Sequence, residues 1–329
     1  IGRPGSTGIA GLAKILSGEI NPSGKLVDEW YRDLTEDPTW YNFGTYEQFG
    51  GSNTYIYDTE TTGAPESKPG GGVAGGSGFF GVDYEEGIYL GYKYVETVYA
   101  ELQKGSIKYN KTTDSLVAGT ETLSQNDSGT ADEWWANTVA YPFGYGLSYT
   151  EFTQELVNVD VSDDHKTAVA TVEVTNTGDV AGKSVVQLYA QVPYEEGGVE
   201  KSAIQLVDYE KTEELAAGAS ETVTLNIDMT NLTSYDNEEG NGAYVLEAGT
   251  YYFAVGDSSH DALNNILAEQ GVTVMVNTDG TAFTATSGKV KTWKLDAKDA
   301  DTFDTSVTGY EIKNQLSEGD YATDVNAWG

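Results

Sequence analysis

The clearest pattern in the chain is a period of two that sets in after Phe152. Val157-Asn158-Val159-Asp160-Val161 alternates apolar and polar residues, and Ala168-Val169-Ala170-Thr171-Val172-Glu173-Val174 does so again. Successive side chains of an extended strand point to opposite faces, so this alternation predicts strands with one buried face. Val185 to Val192 is an almost unbroken apolar run, Glu221 to Ile227 alternates, and Gly249 to Val255 closes the series. Asn176-Thr177-Gly178-Asp179 reads as a turn, and Asp236 to Gly242 as a hairpin turn rather than a calcium loop, since it lacks the spaced terminal acid of such a loop. Short strands between Gly/Asn turns, with one helical stretch at Asp261–Leu267, predict a β-sandwich over residues 146–276. Residues 277–329 hold only weak strands (Thr281–Thr286 and Val290–Leu295) and the charged stretch Asp296–Asp301, and are expected to be an extended linker rather than a third domain, its two strands pairing with each other or lying along an existing domain with Trp293 as anchor.

The first 145 residues follow a different period. Ile9, Leu12, Ala13 and Leu16 fall on one helical face, and Gly18 stands where a C-cap glycine would. Asn21-Pro22-Ser23-Gly24 is a turn, after which Lys25-Leu26-Val27 resumes an ordered segment. Helix, turn and strand fit part of an α/β layer, and one such unit is too little to make a sheet alone, so residues 1–145 are expected to be the later part of an α/β sandwich domain. Gly63 to Gly78 is glycine-rich and predicted to be a loop. Residues 101–138 are polar and are expected to form an exposed loop, with the Trp134-Trp135 pair docking.

Charge and composition narrow the function classes. The 329 residues carry 18 Lys+Arg against 52 Asp+Glu, a net charge of −34, with no cysteine and two histidines. No disulfide, thiolate metal site or cysteine nucleophile can form, and neither a metal nor a cofactor is expected. Phosphate backbones and anionic bilayers both require clustered cations, so neither nucleic acid nor a membrane is an expected partner. No apolar run approaches the ~20 residues of a membrane-spanning helix. The compartment stays open between the bacterial cytoplasm and secretion. Asp83-Tyr84-Glu85-Glu86-Gly87-Ile88 places three carboxylates beside aromatic residues. Paired carboxylates can serve a glycosidase as acid and nucleophile, but adjacent residues of a strand face opposite ways, so Glu85 and Glu86 cannot flank one bond. His260-Asp261 has no serine or cysteine nucleophile signature beside it and is expected to be a surface or capping pair.

Five segments, in order, resemble glycoside hydrolase family 3, the β-glucosidase family. Gly18-Glu19-Ile20-Asn21-Pro22-Ser23-Gly24-Lys25-Leu26 is similar to its NPSGKL segment, and Tyr84 to Tyr94 to its EGI…GY segment. Tyr141-Pro142-Phe143-Gly144-Tyr145-Gly146-Leu147-Ser148-Tyr149-Thr150 resembles the signature joining the family's α/β sandwich to a fibronectin type III-like domain. Asn176–Gly182 and Glu247–Tyr251 match that last domain. The resemblance implies part of a retaining β-glycosidase acting on terminal β-D-glucosyl residues, with β-xylosidase or another family 3 activity as the alternative. A non-catalytic carbohydrate-binding or adhesion module is the alternative from another class. The family's aspartate nucleophile belongs to a catalytic barrel, and its acid/base glutamate lies upstream of the matching segments. Neither is therefore expected among these residues, and Glu85 and Glu86 stay remote candidates. Trp40, Phe79, Phe80 and Tyr84 are candidate rim residues, since sugar faces stack on aromatic rings. The implied partners are a β-glucoside or oligosaccharide and the remainder of the same enzyme. Tyr310–Leu316, together with Leu26-Val27-Asp28 and Leu34–Pro38, resembles members with permuted domain order, in which the barrel follows the sandwich. The chain is then expected to be the middle of a longer protein.

Overall fold

The computed structural model describes residues 5–42, 54–57, 65–66, 79–82, 86–237 and 242–313. Its centre is a two-sheet sandwich. Strands β1 (Phe152–Val161), β2 (Thr167–Asn176) and β5 (Ser220–Asp228) form a three-stranded antiparallel sheet with β2 in the middle. Strands β3 (Val185–Gln191), β4 (Gln205–Lys211), β6 (Gly249–Val255) and β7 (Val290–Leu295) form the facing sheet in the order β4-β3-β6-β7. The alternation of the sequence becomes register: Ala170 stands opposite Leu225 and Val172 opposite Val223, and all four side chains are buried in the interface between the sheets.

The unbroken apolar run of β3 has a different cause. Val186, Leu188 and Ala190 face the other sheet, while Tyr189 faces outward yet is fully buried beneath a helical layer. A strand covered on both faces has no polar face to show. The covering layer is α2 (Tyr92–Lys104), α3 (Ala131–Thr138) and α4 (Ser259–Glu269). α2 ends at Gly105, whose φ of 78° is the left-handed C-cap conformation. α3 opens with a capping box in which Thr130 and Glu133 satisfy each other's backbone amides. α4 is capped by Ser258. The result is three layers: sheet, sheet and helices.

Two expectations are corrected here. Residues 101–138 are not an exposed loop. They hold the end of α2, a hairpin of Ile107–Asn110 with Ser115–Ala118, and α3, whose Trp134 and Trp135 are buried. The polar composition belongs to the outer faces of these short elements. Residues 277–329 are not wholly a linker, because β7 completes the four-stranded sheet along β6, with Trp293 opposite Tyr251. Its pattern is weak because it is an edge strand in which Trp293 and Leu295 pack on the core between the sheets while Thr292 and Lys294 are exposed. Every strand pairing among the described residues of 1–145 is antiparallel. α1 (Gly5–Leu16) matches the helix read from the sequence, and Gly18 adopts the positive φ of a C-cap position, 75°. Lys25 to Val27 forms no strand, although Leu26 exchanges two backbone hydrogen bonds with residues 144 and 145. Ser234–Asp236 pairs with Ala243–Val245 as the expected hairpin.

Candidate functional site

The segments singled out by the sequence meet at one joint between the N-terminal residues, the helical layer and the sandwich. Asn21 Oδ1 accepts from Ser148 Oγ (2.9 Å) and from the Tyr149 amide (2.8 Å), while its Nδ2 donates to the Ala181 carbonyl at 3.0 Å. One side chain thus ties three separate stretches together. The Leu26 amide donates to the Tyr145 carbonyl at 2.8 Å, and the Gly144 amide returns a bond to Leu26 at 2.9 Å. Gly144 has φ +81°, and a Cβ there would run into Gln187 and Tyr189. Glycine is required on both grounds. Gln187 uses the space, donating from Nε2 to the Gly144 carbonyl (3.1 Å) and accepting from Tyr189 Oη (2.9 Å). Phe143 stacks on Tyr92 of α2 with ring centres 4.5 Å apart. Tyr92 Oη in turn accepts from the Leu206 amide of β4 at 2.9 Å.

Beneath the joint lies a buried polar cluster. Glu96, on the inner face of α2 and fully buried, accepts from Ser259 Oγ (3.0 Å) and pairs with His260 Nδ1 (3.0 Å). His260 Nε2 contacts the Val276 carbonyl at 3.0 Å, so that ring carries a proton on the side facing it. Trp135 stacks on the imidazole at 3.8 Å, and Tyr99 meets it edge-on at 4.8 Å. His260 is therefore at the centre of the helical core, which corrects the expectation of a surface pair. Asp261 does have the capping role, accepting from the Asp257 amide at 3.0 Å. Its carboxyl is pushed up by burial and then by Asp257. Ser259, His260 and Glu96 are not a hydrolytic triad. The serine hydroxyl is bonded to the glutamate instead of the imidazole, and all three residues are buried.

Glu29 is a second buried acid, with 6% exposure. Its Oε2 accepts from the Phe143 amide at 2.9 Å, and its Oε1 has no partner. Burial, with the neighbouring Glu96 second, pushes this carboxyl up to about 9 against the lowering effect of the Phe143 amide. The sequence contains one signal that marks Glu96: an acid on the apolar face built from Val95, Val98, Tyr99 and Ala100. Glu29 has no such signal, because its burial depends on residues more than a hundred positions away.

A cleft of about 1000 Å³ opens beside the joint. Lys25 lines it with its pKa lowered by burial, partly offset by Asp257 and Asp261. Asp257, Asp261, Arg32 and the Tyr141–Tyr145 ring pair share its wall. The expected site residues lie elsewhere in the chain. Trp40 is half-buried in a short helical turn, its amide bonded to Asp37. Glu86 is half-buried, and its carbonyl accepts from the Tyr89 amide in the turn around Gly87. Tyr84 and Glu85 lie outside the described residues, as do the side chains of Phe79 and Phe80, whose backbone forms a strand beside Thr54–Tyr57. Among the described residues no three His, Asp or Glu side chains gather as a metal site, and no helix is long and apolar enough to cross a membrane.

Known proteins share this arrangement. Residues 184–259 match the fibronectin type III-like domain family. The chain is 30% identical over 290 residues to beta-glucosidase A of Butyrivibrio fibrisolvens, an alignment covering 81% of this chain and 27% of the relative. Kluyveromyces marxianus beta-glucosidase, solved in complex with glucose, superposes with a TM-score of 0.52 at 26% identity, over 88% of this chain and 23% of that one. The Bifidobacterium adolescentis GH3 beta-glucosidase shares the fold, with a TM-score of 0.53 at 24% identity over 97% of this chain and 31% of its own. The chain spans between a fifth and a third of the length of such relatives. It contains a fibronectin type III-like domain and is homologous over about four-fifths of its length to β-glucosidases, as a C-terminal-type region of glycoside hydrolase family 3 would be.

Proposed function

We propose that this chain is the non-barrel part of a retaining β-glucosidase, forming a cleft wall and holding the catalytic barrel in place. The observation that carries this reading is the convergence of the family-like segments on one joint. Asn21 of the first segment, Tyr92 of the second, Phe143 to Tyr149 of the third and Ala181 of the fourth contact one another directly or through one residue. They brace domains rather than present a reacting pair of carboxylates. In this reading the nucleophile and the acid/base come from the remainder of the enzyme, a barrel placed after the sandwich in a permuted order, and the substrate is a β-glucoside or oligosaccharide. Trp40, Phe79, Phe80 and Tyr84 belong to the rim of an aglycone subsite.

The test compares the 329-residue chain with the full polypeptide encoded around it, using aryl β-D-glucoside and aryl β-D-xyloside. The chain alone is expected to give no turnover, and the full polypeptide to prefer the glucoside. Preference for the xyloside would move the assignment to β-xylosidase. Turnover by the chain alone, lost in Glu85→Gln or Glu86→Gln, would place the acid/base here and overturn the reading. A full polypeptide that binds sugars without cleaving them would make the chain part of a binding module.

A further inference from the structure

We propose that Glu29 is a proton-operated latch: uncharged, it holds the strap of residues 28–32 against the domain joint, and once it loses its proton it lets the strap go. The strap is fixed along one side by backbone bonds. Trp30 and Tyr31 pair with Tyr141 and Val139, and the Arg32 amide donates to the Thr138 carbonyl at 2.8 Å. Arg32 Nε donates to the Ala136 carbonyl at 2.6 Å. Among the described residues the one side-chain bond from the strap into the joint itself is that of Glu29 to the Phe143 amide, 2.9 Å long. Phe143 in turn packs on Tyr92 of the helical layer and on Tyr189 of the sandwich. The latch therefore sits where all three parts meet.

Among the described residues the Phe143 amide is the one group bonded to Glu29 that favours a negative charge there, and the acids around it oppose one. α2 offers Glu96, itself an acid already engaged by His260 and Ser259 of α4. β3 offers Tyr189, and the strap offers Asp28 and Tyr31. The joint offers the Phe143 amide. Among the described residues no lysine, arginine or histidine pairs with Glu29, and its second oxygen is buried without a partner. A buried carboxylate in such surroundings is strongly disfavoured, whereas the neutral acid is tolerated. The sign follows from linkage. The folded protein keeps the proton up to about 9, whereas the unfolded chain releases it near the ordinary glutamate value of 4.5. Stability is then fully present below that lower value, declines as the pH rises, and the latch itself opens near the upper one.

The experiment uses the 329-residue chain. Its melting temperature is followed from pH 5 to pH 10 beside that of Glu29→Gln, which keeps the shape and the acceptor for Phe143 but cannot ionise. The two curves are expected to run closest at pH 5 and to separate upward, with the variant the more stable at alkaline pH. Hydrogen exchange at the Phe143 amide should accelerate at least tenfold beyond intrinsic base catalysis in the wild type between pH 7 and pH 10, and not in the variant. Parallel curves with unchanged Phe143 exchange would overturn the proposal. If the variant fails to fold, infrared spectroscopy of the wild type decides: the carbonyl stretch of a protonated buried carboxyl should be present at pH 7 and gone at pH 10. Its absence at pH 7 would equally overturn the proposal. None of these three readouts depends on glycosidase activity.

Discussion

An acid on the inner face of a helix is tolerated only where partners take its charge, and Glu96 has two of them on α4. The burial of His260 is not legible in the sequence, because neighbouring residues alone carry no information on which residue 164 positions away approaches it. Asp299 shows the same logic. Burial raises its pKa, but hydrogen bonds from His165 and from Thr302 and Asp301 outweigh that and bring it down to about 2. His165 Nδ1 lies 2.8 Å from its Oδ2. A carboxylate with a depressed folded pKa stabilises above its unfolded value and loses that contribution as pH falls toward the folded one. Asp299→Asn is therefore expected to cost about 1–2 kcal/mol at pH 6, allowing for partial solvent screening, and almost nothing near pH 2. Urea denaturation at the two pH values checks this, and an equal loss at both would mean that the carboxylate's charge plays no part.

At the scale of elements, strand alternation identified β1, β2, β5 and β6, and the apolar run identified β3. β7 was legible only as a weak segment. Its partner β6 decides its fate: Phe253 faces Lys291, Tyr251 faces Trp293, and Trp293 also meets His165 at 5.5 Å. Val290 to Leu295 is thus hydrogen-bonded along its length, and Lys298 is tied to Asp236 at 2.8 Å. Proteases require an extended, locally unfolded backbone. Trypsin is expected to spare Lys294 and Lys298 in the folded chain, the reverse of what a free linker would show. Mass spectrometry of limited digests checks this, and early cleavage at Lys294 would mean that β7 is not held. The helices α2 and α3 had usable signals of their own, a C-terminal glycine at 105 and a Thr130–Glu133 capping box, which the polar composition of 101–138 obscured.

At the scale of the molecule the three layers share two cores, one between the sheets and one between the four-stranded sheet and the helices. Phe143 is the ring that spans the second core from the joint, stacked on Tyr92 and edge-on to Tyr189. Truncating such a residue removes apolar contact and leaves a cavity. Phe143→Ala is expected to destabilise the chain by about 3 kcal/mol, at the lower end for a phenylalanine because the ring is only half-buried. Thermal or urea unfolding measures it, and an unchanged midpoint would show that the joint does not couple the layers.

The sequence by itself determined the local events: the strand period, the turns, the helix at residues 5–16, the helical stretch after Ser258, and the segments that resemble glycoside hydrolase family 3. These depend on residues within a few positions of one another, where side-chain direction and backbone preference suffice. Tertiary structure alone decided which of those elements share a core. It covered β3 on both faces, made β7 a sandwich strand, and buried Glu29, Glu96 and His260 together. Burial and pairing are set by residues distant in sequence, and a single chain read in order holds no term for that distance.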